Sequence, residues 1–95
     1  MLKAEITQTV KHTYLVDVDL DKSQCSFNKI SDLVKDICLL TGAVFIEWAQ
    51  YIDHGFGCIC FQNERIKVIW EEFPNNLSFE LDSISNAELL LEKLV

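Results

Sequence analysis

Three groupings of side chains have the types and spacing for chemistry. The first is Cys58-Ile59-Cys60, which sets two sulfurs on one side of a β-like run with His54 just upstream. Soft-metal or thiol chemistry needs several such ligands converging on one point, and spacing supplies no obvious third or fourth. Zinc motifs favour Cys-x-x-Cys on a turn, whereas sulfurs at i and i+2 of a flat strand stand too far apart for a relaxed disulfide. The expectation is two buried thiols, with no metal and no cofactor. The second grouping, Asp17-Val18-Asp19-Leu20-Asp21, begins like a calcium loop. Lys22 stands where such a loop needs glycine and Asn28 where it needs a bidentate Glu, so the segment reads instead as a strand with solvated acids.

The third grouping is Trp70-Glu71-Glu72-Phe73-Pro74, in which aromatic rings and carboxylates leave a strand together. With Glu47, Trp48, Tyr51, Glu80 and Asp82 on neighbouring strands, these residues can form an acidic rim around aromatic anchors, the make-up of tight protein interfaces. Trp70 shares a strand face with Val68 and belongs to the core. The candidate binding residues are therefore Asp17, Asp19, Glu71, Glu72, Glu80 and Asp82 for charge, with Trp48, Tyr51 and Phe73 as anchors. Catalysis finds less support. His12 and His54 are the two ordinary bases, no nucleophile is recognisably paired with either, and Gly42, Gly55 and Gly57 build no phosphate loop. The chain reads as a non-enzyme.

Composition narrows the partner. A formal net charge of −7 repels phosphate backbones, which disfavours nucleic acid and favours a basic protein. With 49% hydrophobic residues in 95, the chain can fill one core as a single domain over residues 1–95. No apolar run reaches the length of a membrane span. The polar start at Lys3 and Glu5 lacks a signal-peptide pattern, and Cys25, Cys38, Cys58 and Cys60 are expected to be reduced, which together point to the cytoplasm.

The elements that position these residues follow from periodicity. Leu2 to Leu20 alternates for too long to be one strand, so an edge segment, a bend near Gln8 to His12 and a main strand from His12 to Leu20 are expected. His12 falls on the apolar side of that strand. Apolar residues at helical spacing predict a helix from about Phe27 to Thr41, with Ser26 as N-cap and Gly42 ending it. Ala43 to Ile52 reads as a strand with Val44, Ile46, Trp48 and Ile52 on one face and Phe45, Glu47, Ala49 and Tyr51 on the other. Asp53-His54-Gly55 then turns into the central hairpin, Gly55 to Phe73, whose turn is placed at Asn63-Glu64 with Phe61 opposite Ile66 and Ile59 opposite Val68. Its inner face holds Ile59, Phe61, Ile66, Val68 and Trp70; its outer face holds Phe56, Cys58, Cys60, Lys67, Ile69 and Glu71. After the Pro74-Asn75-Asn76 turn, Leu77 to Asp82 alternates as the last strand. Ser85 and Glu88 have the spacing of a capping box, with Ile84 and Leu89 as a hydrophobic staple, so a final helix begins there. The fold class is α+β: a two-layer, mainly antiparallel sheet with two helices, in the order β-α-β-β-β-β-α.

Small size, acidity, the lack of a catalytic motif and an α+β sheet together resemble the immunity proteins of bacterial toxin–immunity systems. The run Glu71-Glu72-Phe73-Pro74 after Ile-Lys-Val-Ile-Trp adds to that resemblance. It implies a cytoplasmic inhibitor whose acidic surface blocks a cognate toxin, often a nuclease with a basic active site. Two alternatives stand beside it: a module that forms a homodimer through the open edge of the first strand, and a thiol or metal protein using Cys58 and Cys60.

Overall fold

The computed structural model describes residues 2–23 and 28–95. The long alternating segment folds back on itself. β1 (Lys3–Gln8) and β2 (Tyr14–Asp19) form an antiparallel hairpin, with the expected bend as its turn. No Gly or Pro builds that turn. Thr9 does so instead: its hydroxyl accepts the N–H groups of Lys11 and Thr13, each at 3.2 Å, while His12 takes a positive φ of 65°. His12 is therefore an exposed turn residue and not a member of the strand's apolar side.

α1 (Ile30–Thr41), β3 (Val44–Gln50), β4 (His54–Phe61), β5 (Glu64–Glu71), β6 (Asn76–Leu81) and α2 (Ile84–Leu94) follow. The order β-α-β-β-β-β-α holds, with the first β region doubled. All six strands join one antiparallel sheet in the order β1-β2-β6-β5-β4-β3. The inner faces expected from alternation are the ones buried: Val16, Val18, Ile59, Ile66, Val68, Leu77 and Phe79 have no exposed surface, and Trp70 closes one end of the layer. Against them lie Leu33, Val34 and Ile37 of α1 and Ala87, Leu90 and Leu94 of α2, which pack side by side on the same side of the sheet. Among the described residues no helix is long and apolar enough to cross a membrane.

Four local expectations are corrected. In the central hairpin Phe61 pairs with Glu64 and Ile59 with Ile66, so the turn is Gln62-Asn63. Both residues have positive φ, 52° and 64°, the signature of a two-residue type I′ turn. The register thus differs by two residues, which leaves every side chain on its expected face because strand periodicity is two. In β3 a bulge between Phe45 and Glu47 adds one residue, Ile46, and puts Phe45 and Trp48 together on the helix side with Val44, Glu47 and Ala49 opposite. α2 is capped by Ser83, whose hydroxyl accepts the Asn86 N–H at 3.2 Å, so the helix starts two residues ahead of the Ser85–Glu88 box. α1 begins at Ile30 with Lys29 as N-cap and no side-chain cap; Ser26 and Phe27 lie outside the described residues. Gly42 ends it as expected, at φ 81° with its N–H donating to the Cys38 carbonyl.

Trp48 is half-buried and lies across Gly55 and Gly57 of the neighbouring strand. A Cβ at Gly55 would come within 2.5 Å of the indole; one at Gly57 would overlap the Glu47 carbonyl oxygen and approach the indole at 2.9 Å. The glycines are the space into which the indole packs. Gly57→Ala is expected to cost about 1–3 kcal/mol in urea unfolding, from overpacking. Phe79→Ala, a fully buried truncation, is expected to cost about 3–5 kcal/mol. Unchanged stability of Gly57→Ala would show that Trp48 does not depend on that space.

Candidate functional site

Both helices cover the same side of the sheet, and among the described residues nothing packs on the other. Strand pairing fixes what that open face displays. One row across the sheet reads Glu5, Asp17, Ser78, Ile69, Phe56 and Ala49; a second reads Lys3, Asp19, Asn76, Glu71 and His54; a third reads Thr7, Leu15, Glu80, Lys67, Cys58 and Glu47. The β1-β2-β6 half is acidic, carrying Glu5, Asp17, Asp19 and Glu80 against Lys3. The β5-β4-β3 half is mixed, with Arg65 and Lys67 beside apolar side chains.

Hydrogen bonds hold several acids of the first half in place, and cations stand beside two of them: Lys3 pairs across the strands with Asp19, and Lys67 with Glu80. Ser78 donates its hydroxyl to Asp17, and Thr13 donates to Glu80 at 2.7 Å. Asp19 accepts the backbone N–H groups of Asp21 and Lys22 at 3.1 and 3.2 Å. Among the described residues the ion pairs are Lys22–Asp19, at 3.9 Å and largely solvated, and His54–Asp53. Neutral donors fix a carboxylate's direction while leaving its charge outward. Glu5 and Asp17 stand directly opposite one another on the edge pair, a like-charge arrangement that costs roughly 0.2–1 kcal/mol in a sheet.

At the other end of the face sits an aromatic stack. The turn after β3 folds back, with Tyr51 N–H donating to the His54 carbonyl at 2.8 Å. This lays the Tyr51 ring nearly parallel to His54 at 4.7 Å between centroids and to Phe56 at 5.7 Å. Tyr51 and Phe56 are each about half exposed (50% and 49%), so the stack is a surface feature and not a core one. His54 opens β4, where a turn position was expected, and its Nδ1–H donates to Asp53 Oδ1 at 2.8 Å. That hydrogen bond holds the Asp53 carboxyl below the usual aspartate range, aided by a backbone hydrogen bond.

The predicted site residues therefore separate. Asp17, Asp19, Glu71 and Glu80 share the open face, and Asp82 stands at its rim in a shallow hollow with Thr13, Arg65 and Lys67. Tyr51 reaches the same face from the far end. Trp48 lies on the helix side, because the β3 bulge turns it inward. Glu72 and the exposed Phe73 belong to the β5–β6 turn, where Phe73 lines a separate hollow with Asp21, Ile30 and Trp70. Sequence reasoning missed Glu5, His54 and Phe56. Glu5 was visible on the wet face of the first alternation; the stack depends on how a turn folds back, which no spacing encodes.

The thiols are placed differently from expectation. Cys58 and Cys60 are half-buried on the open face, opposite Lys67 and Arg65, while Cys38 is buried in the core and burial pushes its thiol pKa up. No group of three or more metal-ligating side chains converges among the described residues. No protein-family model matches this chain, and no curated protein or solved structure does either.

Two measurements follow from these environments. In a Cys25→Ser background, native protein should present two reactive thiols to a disulfide reagent at neutral pH, with Cys38 reacting only on unfolding; early reaction of Cys38 would contradict its buried placement. In a pH titration followed by carboxyl NMR, Asp53 should titrate below an ordinary aspartate and move back toward the ordinary value in His54→Ala. Because its pKa is depressed in the folded state, the Asp53–His54 contact contributes above the ordinary aspartate pKa and is lost as pH falls through the folded one. An unshifted Asp53 in the parent protein would show the contact is not kept in solution.

Proposed function

We propose that this chain is a non-enzymatic acidic module that binds a basic protein surface through its open sheet face, and that the sharpest form of this role is neutralising a toxin by occlusion. The observation that supports it is the cross-strand Glu5–Asp17 pair within the acidic β1-β2-β6 half. A surface built only for solubility intersperses the two signs of charge. Here, while of the acids on either side Asp19 pairs with Lys3 and Glu80 with Lys67, two carboxylates face each other across a strand pair. A guanidinium or ammonium set between them would relieve the repulsion, so the cost in the free protein becomes affinity in the complex. Rigid carboxylates also stand in well for substrate phosphates on a nuclease's basic active site, which is the mode that the resemblance to immunity proteins implies. Residence in the cytoplasm, beside the toxin before its export, belongs to the same proposal.

The test titrates the chain calorimetrically with a basic nuclease-toxin domain at several salt concentrations. Affinity should fall steeply with salt, and Glu5→Lys or Asp17→Lys should each weaken binding at least tenfold, or about 1.4 kcal/mol. Glu5→Gln separates function from folding: it should weaken binding while leaving the free protein as stable as its parent or slightly more so. Affinity indifferent to salt and to both charge reversals would remove the proposal.

A further inference from the structure

We infer that the Tyr51–His54–Phe56 stack is a seat for an arginine side chain of the partner. The inference rests on the binding role proposed above and adds the chemistry at the end of the face that the acidic half does not reach. Three observations carry it. The Tyr51 ring is stacked with two neighbours at 4.7 and 5.7 Å, and Tyr51 and Phe56 are each about half exposed, so an ordered aromatic surface is presented to solvent. Two carboxylates flank its His54 member: Asp53 is bonded to His54, and Glu71 stands directly across the strand pair from it. Ile69, paired with Phe56, continues the apolar floor toward the middle of the sheet.

An aromatic face rimmed by carboxylates is complementary to a planar cation. A guanidinium stacks on the ring through its own plane while its edge N–H groups reach carboxylate oxygens. A lysine ammonium matches the charge but not the plane, and a neutral aromatic or aliphatic side chain leaves the carboxylates unanswered. Arginine is thus the occupant that satisfies both features at once. The Tyr51 hydroxyl is not required for this, so phenylalanine should serve in its place.

The experiment titrates the intact chain with the peptide N-acetyl-Gly-Arg-Gly-amide, followed by aromatic and amide NMR. Equivalent peptides carrying lysine or citrulline, the neutral isostere of arginine, run in parallel. Saturable shifts centred on Tyr51, His54 and Phe56 are expected with arginine, weaker ones with lysine and none with citrulline. Tyr51→Ala should weaken the arginine peptide about two- to fivefold, the size of a solvent-exposed cation–π contact, and Tyr51→Phe should restore it. Tyr51 lies in an exposed turn, and unchanged shifts at Phe79 and Leu90 would report an intact fold in the variant. Shifts confined to Glu5, Asp17 and Asp19, or shifts at the stack that survive Tyr51→Ala, would overturn this inference while leaving the acidic-face reading in place. Arginine shifts at the stack in a chain whose affinity for the basic domain ignores Glu5→Lys would do the reverse.

Discussion

The constraint on which the structure depends is that two helices can cover a six-stranded sheet once. Six strands spaced about 4.8 Å apart set the outer strands roughly 24 Å apart, and two helices packed about 10 Å from one another occupy most of that width. α1 sits toward β3, and α2 lies toward β1, β2 and β6. Every large apolar side chain that folding must bury, from Val16 on β2 to Phe61 on β4, is therefore committed to one side. Among the described residues no third helix covers the second side, so its composition has to tolerate water. Lys, Glu, Asp, Ser and Asn at most of its positions are the direct consequence.

Exceptions to that rule are where function is most legible. Phe56 and Tyr51 are half exposed on a face that has no need of aromatics for packing. Glu5 and Asp17 stand opposite one another where a lysine at either position would give an opposite-charge pair. The two exceptions lie at opposite ends of one rigid sheet, held by backbone pairing in fixed relation, so a single partner can engage both without either moving. The stack is ordered by the turn at Tyr51 and by Asp53–His54, and the acids are ordered by Ser78 and Thr13. This order lowers the entropic cost of binding to either group.

The sequence made faces legible and left longitudinal position ambiguous. Alternation placed Ile59, Phe61, Ile66 and Val68 on the buried side because a strand's period of two is enforced by burial, and an error of two residues at the Gln62-Asn63 turn could not disturb it. The same ambiguity moved the α2 cap: Ser83 and Ser85 are both able to cap, and the one chosen is the one that follows directly after β6 ends at Leu81. Trp48 is the instructive failure. Its face followed from its parity with Val44, and one bulged residue, Ile46, reversed that parity. A bulge is selected by tertiary fit, here by the indole packing into the space over Gly55 and Gly57, and local pattern carries no sign of it. Acidic strand residues such as Asp17, Asp19 and Glu80 were readable because they are strand-periodic. The aromatic stack was not, because Tyr51 joins it through a turn.

The edges of the sheet bear on which surface a partner should use. An open edge is the usual route to strand addition, and β1 and β3 both end the sheet. Each carries a feature that discourages pairing. β1 presents Lys3 and Glu5, and β3 is interrupted by its bulge at Ile46, which breaks the regular run of outward N–H and C=O groups. Two copies of a chain with a net charge of −7 would also approach one another against their own fields. With edges blunted in this way, the binding role proposed above falls to the open face, whose acids suit a positive partner better than a second copy of the chain.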